Sequence, residues 1–352
     1  MRFITYIAVF TVVFTLTIFK PPYTAHAAQG DKETQTRYYF IGTVGGGNKV
    51  QMELIIDSQD VTGSYYYNKK GVPLRLSGAY NPKNETIKLD EKGYKGLISG
   101  IFKGKIASEG PDYAKTIEGQ WSEPKGDKKL PFKLTKVADF VNTTVSGGPK
   151  IESSLLYPKF RSDDPAFKMI NAELSNSFKT EQDKFLRESK EFFSTNDSAG
   201  SWQEDRSYSI AYYSEGLISL TGEVYSYTGG AHGNAYYISS NYVIDNSKAS
   251  LIQLSDLFKP GSNYLKALST YCINDLLAKG AGWIANGEIE SFSEKDLGVF
   301  ALSPEGIKFA FAPYAVGPYA EGSYFVIVPF RELEGIINPK GPLGQFAGLG
   351  SK

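Results

Sequence analysis

Gly63-Ser64-Tyr65, Gly78-Ala79-Tyr80, Gly100-Ile101-Phe102 and Gly119-Gln120-Trp121 repeat one Gly-x-aromatic unit, and their spacing decides how the first third of the chain is read. A glycine lets a strand bend, and an aromatic two residues on returns to the same face, which is what a curved sheet or small barrel requires. Around these units apolar residues alternate over short runs, as in Met52, Leu54, Ile56; Ile87, Leu89; and Phe132, Leu134. Period two between Gly, Asn and Pro predicts antiparallel strands with one buried face. Residues 37–137 are therefore expected to form an all-β meander of about eight strands closing into a small barrel. Gly42-Thr43-Val44-Gly45-Gly46-Gly47-Asn48 resembles a phosphate loop only superficially, since no Gly-Lys-Ser/Thr follows, and reads as a hairpin.

Outward from the barrel, 138–150 is polar and ends in Gly147-Gly148-Pro149-Lys150, the composition of a linker. Beyond it the pattern changes. Asp164 can cap a helix with Pro165 at its first position, and Phe167, Ile170, Leu174 and Phe178 recur at helical spacing. Strands rich in Tyr and Ile follow, then a helix from about Ser262 to Lys279, then two finishing strands. Residues 151–338 are thus expected to be an α+β domain, an antiparallel sheet with helices, and 339–352 a flexible C-terminal tail.

At the other end, Arg2, the apolar run from Phe3 to Phe19, Lys20-Pro21-Pro22 and Ala25-His26-Ala27 have the order of a secretory leader, with cleavage expected after Ala27. An exported protein, periplasmic or extracellular and without a stable membrane anchor after cleavage, is the expectation. Removing Arg2 and Lys20 leaves 36 basic and 38 acidic residues, a net charge of −2, which argues against nucleic acid and anionic membranes as partners. Cys272, the single cysteine, excludes an intramolecular disulfide, and its place among Leu268, Ile273 and Leu276 reads as a buried thiol. With His232 the one histidine left after cleavage, a His/Cys zinc centre is out of reach, and no metal or other cofactor is expected.

Two stretches invite a functional reading. In Tyr225-Ser226-Tyr227-Thr228-Gly229-Gly230-Ala231-His232-Gly233, the glycines and His232 fit a tight hairpin, with His232 bonding nearby backbone. The second reading is a ligand loop, with exposed peptide groups and a titratable ring among tyrosines. The run Ala312-Pro313-Tyr314-Ala315-Val316-Gly317-Pro318-Tyr319-Ala320-Glu321-Gly322 is either a rigid turn or a set of amphipathic binding anchors. The candidate ligand-binding residues are Tyr227, Thr228, Gly229, Gly230, His232, Tyr314 and Tyr319, and no catalytic residue is assigned. Acid pairs such as Asp163 with Asp164, Glu204 with Asp205, and Glu288 with Glu290 would serve a glycosidase only if two of them faced one cleft.

The second half resembles the extracytoplasmic domain of the anti-sigma factor RsiV, also present in the peptidoglycan deacetylase PdaC outside its catalytic domain. The matching residues are Ile170-Asn171, the Tyr227 to Gly233 run, Leu254-Ser255-Asp256-Leu257-Phe258, Ser303-Pro304-Glu305-Gly306, Phe311-Ala312-Pro313-Tyr314 and Gly317 through Gly322. The resemblance implies a non-catalytic module of bacterial envelope proteins, which in RsiV binds lysozyme. A lysozyme-type hydrolase or a peptidoglycan-related ligand is accordingly the expected partner. A carboxylate-dependent enzyme acting on cell-wall glycans and a structural or adhesive envelope protein are the alternatives.

Overall fold

In a computed structural model describing residues 35–109, 114–196 and 200–346, eight consecutive antiparallel strands form the first half of the chain. They are β1 (Gln35–Val44), β2 (Asn48–Asp57), β3 (Asp60–Tyr67), β4 (Leu74–Asn81), β5 (Thr86–Lys92), β6 (Ile98–Glu109), β7 (Ala114–Ser122) and β8 (Lys129–Gly148). β1 pairs with β8 from Tyr38↔Asp139 to Val44↔Phe132, so the meander closes into a barrel. Its interior is filled with side chains: Phe40, Met52, Leu54, Tyr65, Leu89, Phe102, Ile117 and Leu134 are all fully buried. Two aromatics of the repeated unit meet inside it, Tyr65 edge-on to Phe102 at 5.3 Å, and Phe102 is edge-on to Phe132 at 5.1 Å, while Tyr80 and Trp121 are half-buried. Glycines also let two strands approach closely. Gly104 and Gly119 face each other across β6 and β7, where a Cβ on Gly119 would stand 2.1 Å from the Lys103 carbonyl oxygen.

The expected linker is not one. β8 runs unbroken for 20 residues, and its second half leaves the barrel to pair with β9 (Ile151–Phe160). Phe140, Val141, Thr143, Thr144 and Val145 are β-branched or aromatic and sustain a strand despite their polar neighbours, so the turn formers make only the tight hairpin into β9. Next, α1 (Pro165–Thr195) crosses to β10 (Trp202–Tyr213), which lies parallel to β9. β11 (Leu217–Tyr227), β12 (Asn234–Asp245) and β13 (Lys248–Leu251) then complete a continuous sheet of 13 strands. The second half is therefore richer in strand than the expected α+β arrangement, because its first sheet grows directly out of the barrel wall.

α1 starts as its sequence dictates: the Asp164 carboxylate accepts from Ala166 N (2.8 Å) and Pro165 takes the first position. Its buried stripe of Phe167, Ile170, Leu174 and Phe178 covers one face of the sheet, with Phe178 4.8 Å from Tyr157 and 5.2 Å from Tyr208. Towards the other face lie α2 (Tyr264–Ala278), the single turn α3 (Gly282–Ala285) and a small sheet of β14 (Phe300–Ser303), β15 (Gly306–Phe311) and β16 (Tyr324–Val328). Cys272 is buried there, and burial pushes its thiol up to about 12.

Side chains also weld the barrel to this second half. The Gln51 amide donates to Tyr213 O and accepts from Tyr213 N, both at 2.9 Å, continuing the backbone pattern of β10 across the junction. Arg37 reaches Glu53 (2.7 Å) and Ser209 (2.9 Å), and the Tyr66 hydroxyl donates to Ala211 O (3.1 Å). The described residues from Gln35 onward consequently form one compact unit. The C-terminal segment is a further correction: Pro342–Phe346 forms a 3-10 turn with Leu343 and Phe346 buried, Phe346 lying against Tyr212 and Phe330. Two large apolar side chains that find a core are enough to order it. The rest of the expected tail, 347–352, and the expected leader, 1–27, lie outside the described residues.

Candidate functional site

β11 and β12 stay paired as far as Ser226↔Asn234, leaving 228–233 as the connecting loop. Gly229 (φ 97°) and Gly230 (φ 91°) take the left-handed conformations that a hairpin of this length needs, and the Tyr227 hydroxyl donates to Gly230 O at 3.1 Å. His232 Nδ1 lies 2.9 Å from Gly233 O; a carbonyl only accepts, so Nδ1 carries the proton of this contact. Up to this point the loop is the tight hairpin of the plainer reading.

The neighbouring loop changes its meaning. Between β15 and β16, the chain turns through Tyr319–Glu321 and lays the Tyr319 ring flat on His232, with centroids 3.7 Å apart and planes at 17°. The Tyr319 hydroxyl also donates to Gly233 O at 2.9 Å, so one carbonyl receives donors from both loops. Tyr314 follows Tyr319 at 5.6 Å, completing a succession of three rings, and stands 51% exposed in the left-handed region at φ 68°. A bulky side chain held there is strained, and strain of this kind is kept where the surroundings impose it.

Glu321 fixes this second loop. Its carboxylate accepts from Gly282 N (3.0 Å) and the Tyr324 hydroxyl (2.9 Å), while Trp283 N donates to Val316 O (3.1 Å), tying the loop to α3. The buried Gly317 makes room for it, since a Cβ there would come within 2.1 Å of Glu321 Oε2.

The structure thus brings His232 together with Tyr319 and, through that ring, Tyr314, whereas Tyr227 and Gly230 bond to each other within their own loop and Thr228 and Gly229 are exposed. Sequence reasoning missed Glu223. It lies on β11 at period two from Tyr225 and Tyr227, opposite Tyr237, whose ring meets Phe325 at 5.2 Å. Glu223 is half-buried, its carboxyl is pushed up by burial, and it makes no hydrogen bond or ion pair through its side chain among the described residues. The alternation Glu223, Tyr225, Tyr227 was the available signal.

Two of the three acid pairs have other employment, and the third, Glu288 with Glu290, is exposed, with Glu288 accepting from Asn286 Nδ2 at 3.4 Å. Asp164 caps α1 and accepts from Ser247, Asp163 lies 3.4 Å from Lys168, and Asp205 accepts from Gln203 at 2.7 Å. Glu204 and Glu181 approach one another across Arg206, at 3.5 and 3.7 Å from its Nη2. Burial raises the Glu204 carboxyl while Arg206 opposes the rise, so this is an ion network with a cation at its centre. Among the described residues no group of three His, Cys, Asp or Glu could hold a metal, and no helix is long and apolar enough to cross a membrane.

Comparison with known proteins places this site across two matched segments. The family described as Deacetylase PdaC matches 146–235, which contains the His232 loop. The family described as Protein of unknown function (DUF3298) matches 255–331, which contains the Tyr314 and Tyr319 loop. Peptidoglycan-N-acetylmuramic acid deacetylase PdaC of Bacillus subtilis (strain 168) is 25% identical over 205 residues, covering 56% of this chain; the chain spans only 41% of that relative's length. A DUF3298 family protein from Pseudomonas aeruginosa PAO1 (20% identity, TM-score 0.43, covering 57% of this chain and 94% of its own) is among the solved structures that resemble it. So is a DUF3298 family member from Bacteroides fragilis NCTC 9343 (16% identity, TM-score 0.43, covering 61% and 96%). The second half of the chain is thereby related to PdaC-like and DUF3298 proteins.

Proposed function

We propose that this is an exported, non-catalytic binding protein of the bacterial cell envelope whose recognition surface is the pair of loops joined by the His232–Tyr319 stack. The observation that carries the reading is that stack, because it fixes two loops of distant sequence around Tyr314, whose exposed ring and hydroxyl have no hydrogen-bond partner among the described residues. Rigid aromatic groups presented on a pre-organised frame bind at small entropic cost. The PdaC relationship, through a relative named for acting on peptidoglycan, points to the cell wall as the setting. The resemblance to the RsiV module points to a lysozyme-type hydrolase as the ligand. A basic hydrolase meets the unpaired Glu223 and a weakly acidic chain without electrostatic penalty.

The test is calorimetric titration with hen-type lysozyme, with cell-wall lysis followed in parallel. Saturable binding is expected, with Tyr314→Ala weakening it at least tenfold and leaving the melting temperature unchanged. Absence of binding by the unaltered protein at high micromolar concentration would remove lysozyme as the ligand; equal binding by Tyr314→Ala would remove the loops as the surface.

A further inference from the structure

The formal net charge of 0 conceals an uneven distribution, and the barrel topology shows where the lysines gather. In an up-and-down barrel alternate hairpins share one end, so the β3–β4, β5–β6 and β7–β8 connections stand side by side on one rim. The register Arg75↔Lys92 sets the bases of the first two hairpins level, and Ile101↔Ser122 sets the base of the third within three residues of Ile98. The first loop carries Lys69 and Lys70, the second is framed by Lys92 and Lys95, and the third carries Lys125 and Lys128, all six exposed. Against them the three hairpins set Glu123 and Asp127. Glu91, just below, is turned inward to accept from Tyr65, Ser99 and Trp121. Lys69, Lys70, Lys92, Lys125 and Lys128 form no ion pair among the described residues.

The same rim exposes apolar side chains. Leu97 is 70% exposed, Val72 56% and Ile98 47%, among the most exposed large hydrophobics of the described residues. They do not hang on slack chain. Gly93 N donates to Leu97 O and Gly96 N to Gly93 O, and Lys95 (φ 55°) and Gly96 (φ 75°) take left-handed conformations that hold Leu97 outward. Apolar tips ringed by lysines are poorly suited to water and poorly suited to a dry protein core. They suit an interface where hydrocarbon lies beneath negative charge.

We infer that this rim of the barrel docks reversibly on an anionic lipid surface, with Leu97, Ile98 and Val72 entering the headgroup boundary and the lysines of the three hairpins meeting lipid phosphates. The rim belongs to the barrel and shares no residue with the His232–Tyr319 loops, although the buried Gly71 of its first hairpin packs on Pro304 and Glu305 of the second half.

The experiment is sedimentation of protein starting at Ala28, which lacks the apolar run from Phe3 to Phe19 and keeps the whole compact unit, with vesicles of phosphatidylglycerol and phosphatidylcholine or of phosphatidylcholine alone. Binding to the anionic vesicles only is expected, falling as salt rises. Each lysine near the surface contributes about fivefold to partitioning, so Lys92→Glu/Lys95→Glu/Lys125→Glu lowers it at least ~100-fold. Leu97→Ser/Ile98→Ser lowers it roughly tenfold or more. Both variants change exposed positions and are expected to melt with the unaltered protein. No binding to anionic vesicles, or equal binding by all three proteins, overturns the inference. Loss in the charge variant with none in Leu97→Ser/Ile98→Ser also overturns it, and assigns the rim to a phosphate-bearing polymer without hydrocarbon.

Discussion

In the barrel, β1 and β8 close on each other through backbone hydrogen bonds, and the space inside is filled by apolar rings. In the small sheet, β14 keeps an open edge and satisfies it with side chains of the large sheet. Phe300 N donates to Ser239 Oγ (3.1 Å), Leu302 N to Ser219 Oγ (2.7 Å), Ser219 Oγ to Asn241 Oδ1 (2.6 Å), and Asn241 Nδ2 to Phe300 O (2.9 Å). The two regions handle the same difficulty, unpaired strand edges, by different chemistry. Backbone closure tolerates many sequences, whereas a buried polar network depends on every member, because a lone unsatisfied group costs its full desolvation.

That contrast can be broken by mutation. Phe102→Ala should cost most, about 3–5 kcal/mol, since it opens a cavity among tightly packed rings. Amide exchange should accelerate throughout the barrel. Asn241→Ala should cost about 2–3 kcal/mol by orphaning Phe300 O, with exchange accelerating at Phe300–Ser303 and the barrel left protected. Equal loss of protection in both regions would show that the two cores do not respond separately.

Much of this was legible in the chain. The Gly-x-aromatic units and period-two runs foretell the barrel because glycine contacts and alternation are local properties. Asp164-Pro165 foretells α1 for the same reason. The fate of 138–150 was not legible, since whether a polar, β-branched stretch pairs depends on a partner strand elsewhere. The site divides likewise. His232, Tyr314 and Tyr319 attracted notice by composition, but their stacking depends on contacts between residues 87 positions apart, and Glu223 lay unremarked inside a strand.

Smaller effects sharpen the same comparison at the site. Gly317→Ala should cost about 1–2 kcal/mol by displacing Glu321 from Gly282 N, and should weaken ligand binding as the loop shifts. Tyr314→Gly should stabilise the protein by up to about 1 kcal/mol, by relieving the left-handed conformation, while lowering affinity. A stability gain without loss of affinity would separate the strain from recognition. The smallest effect is that of Glu223→Gln. Burial raises the folded-state carboxyl above its unfolded value of 4.5, so ionisation favours the unfolded chain and stability falls as pH rises past that value. Glu223→Gln should therefore raise the melting temperature at neutral pH by about a degree, and the gain should vanish near pH 4.

β8 gives the molecule a mechanical property. One strand of 20 residues is stapled to β1 and β7 along one stretch and to β9 along the other. A pull applied between the barrel and the second half loads that strand along its axis, where rows of hydrogen bonds resist together in shear. Cutting the chain anywhere in 138–148 would interrupt that strand and leave the bonds of Gln51, Arg37 and Tyr66 to hold the two halves together. The segment that looks most like a hinge is thus the spine of the protein, and whatever grips one end is held at a fixed distance from whatever grips the other.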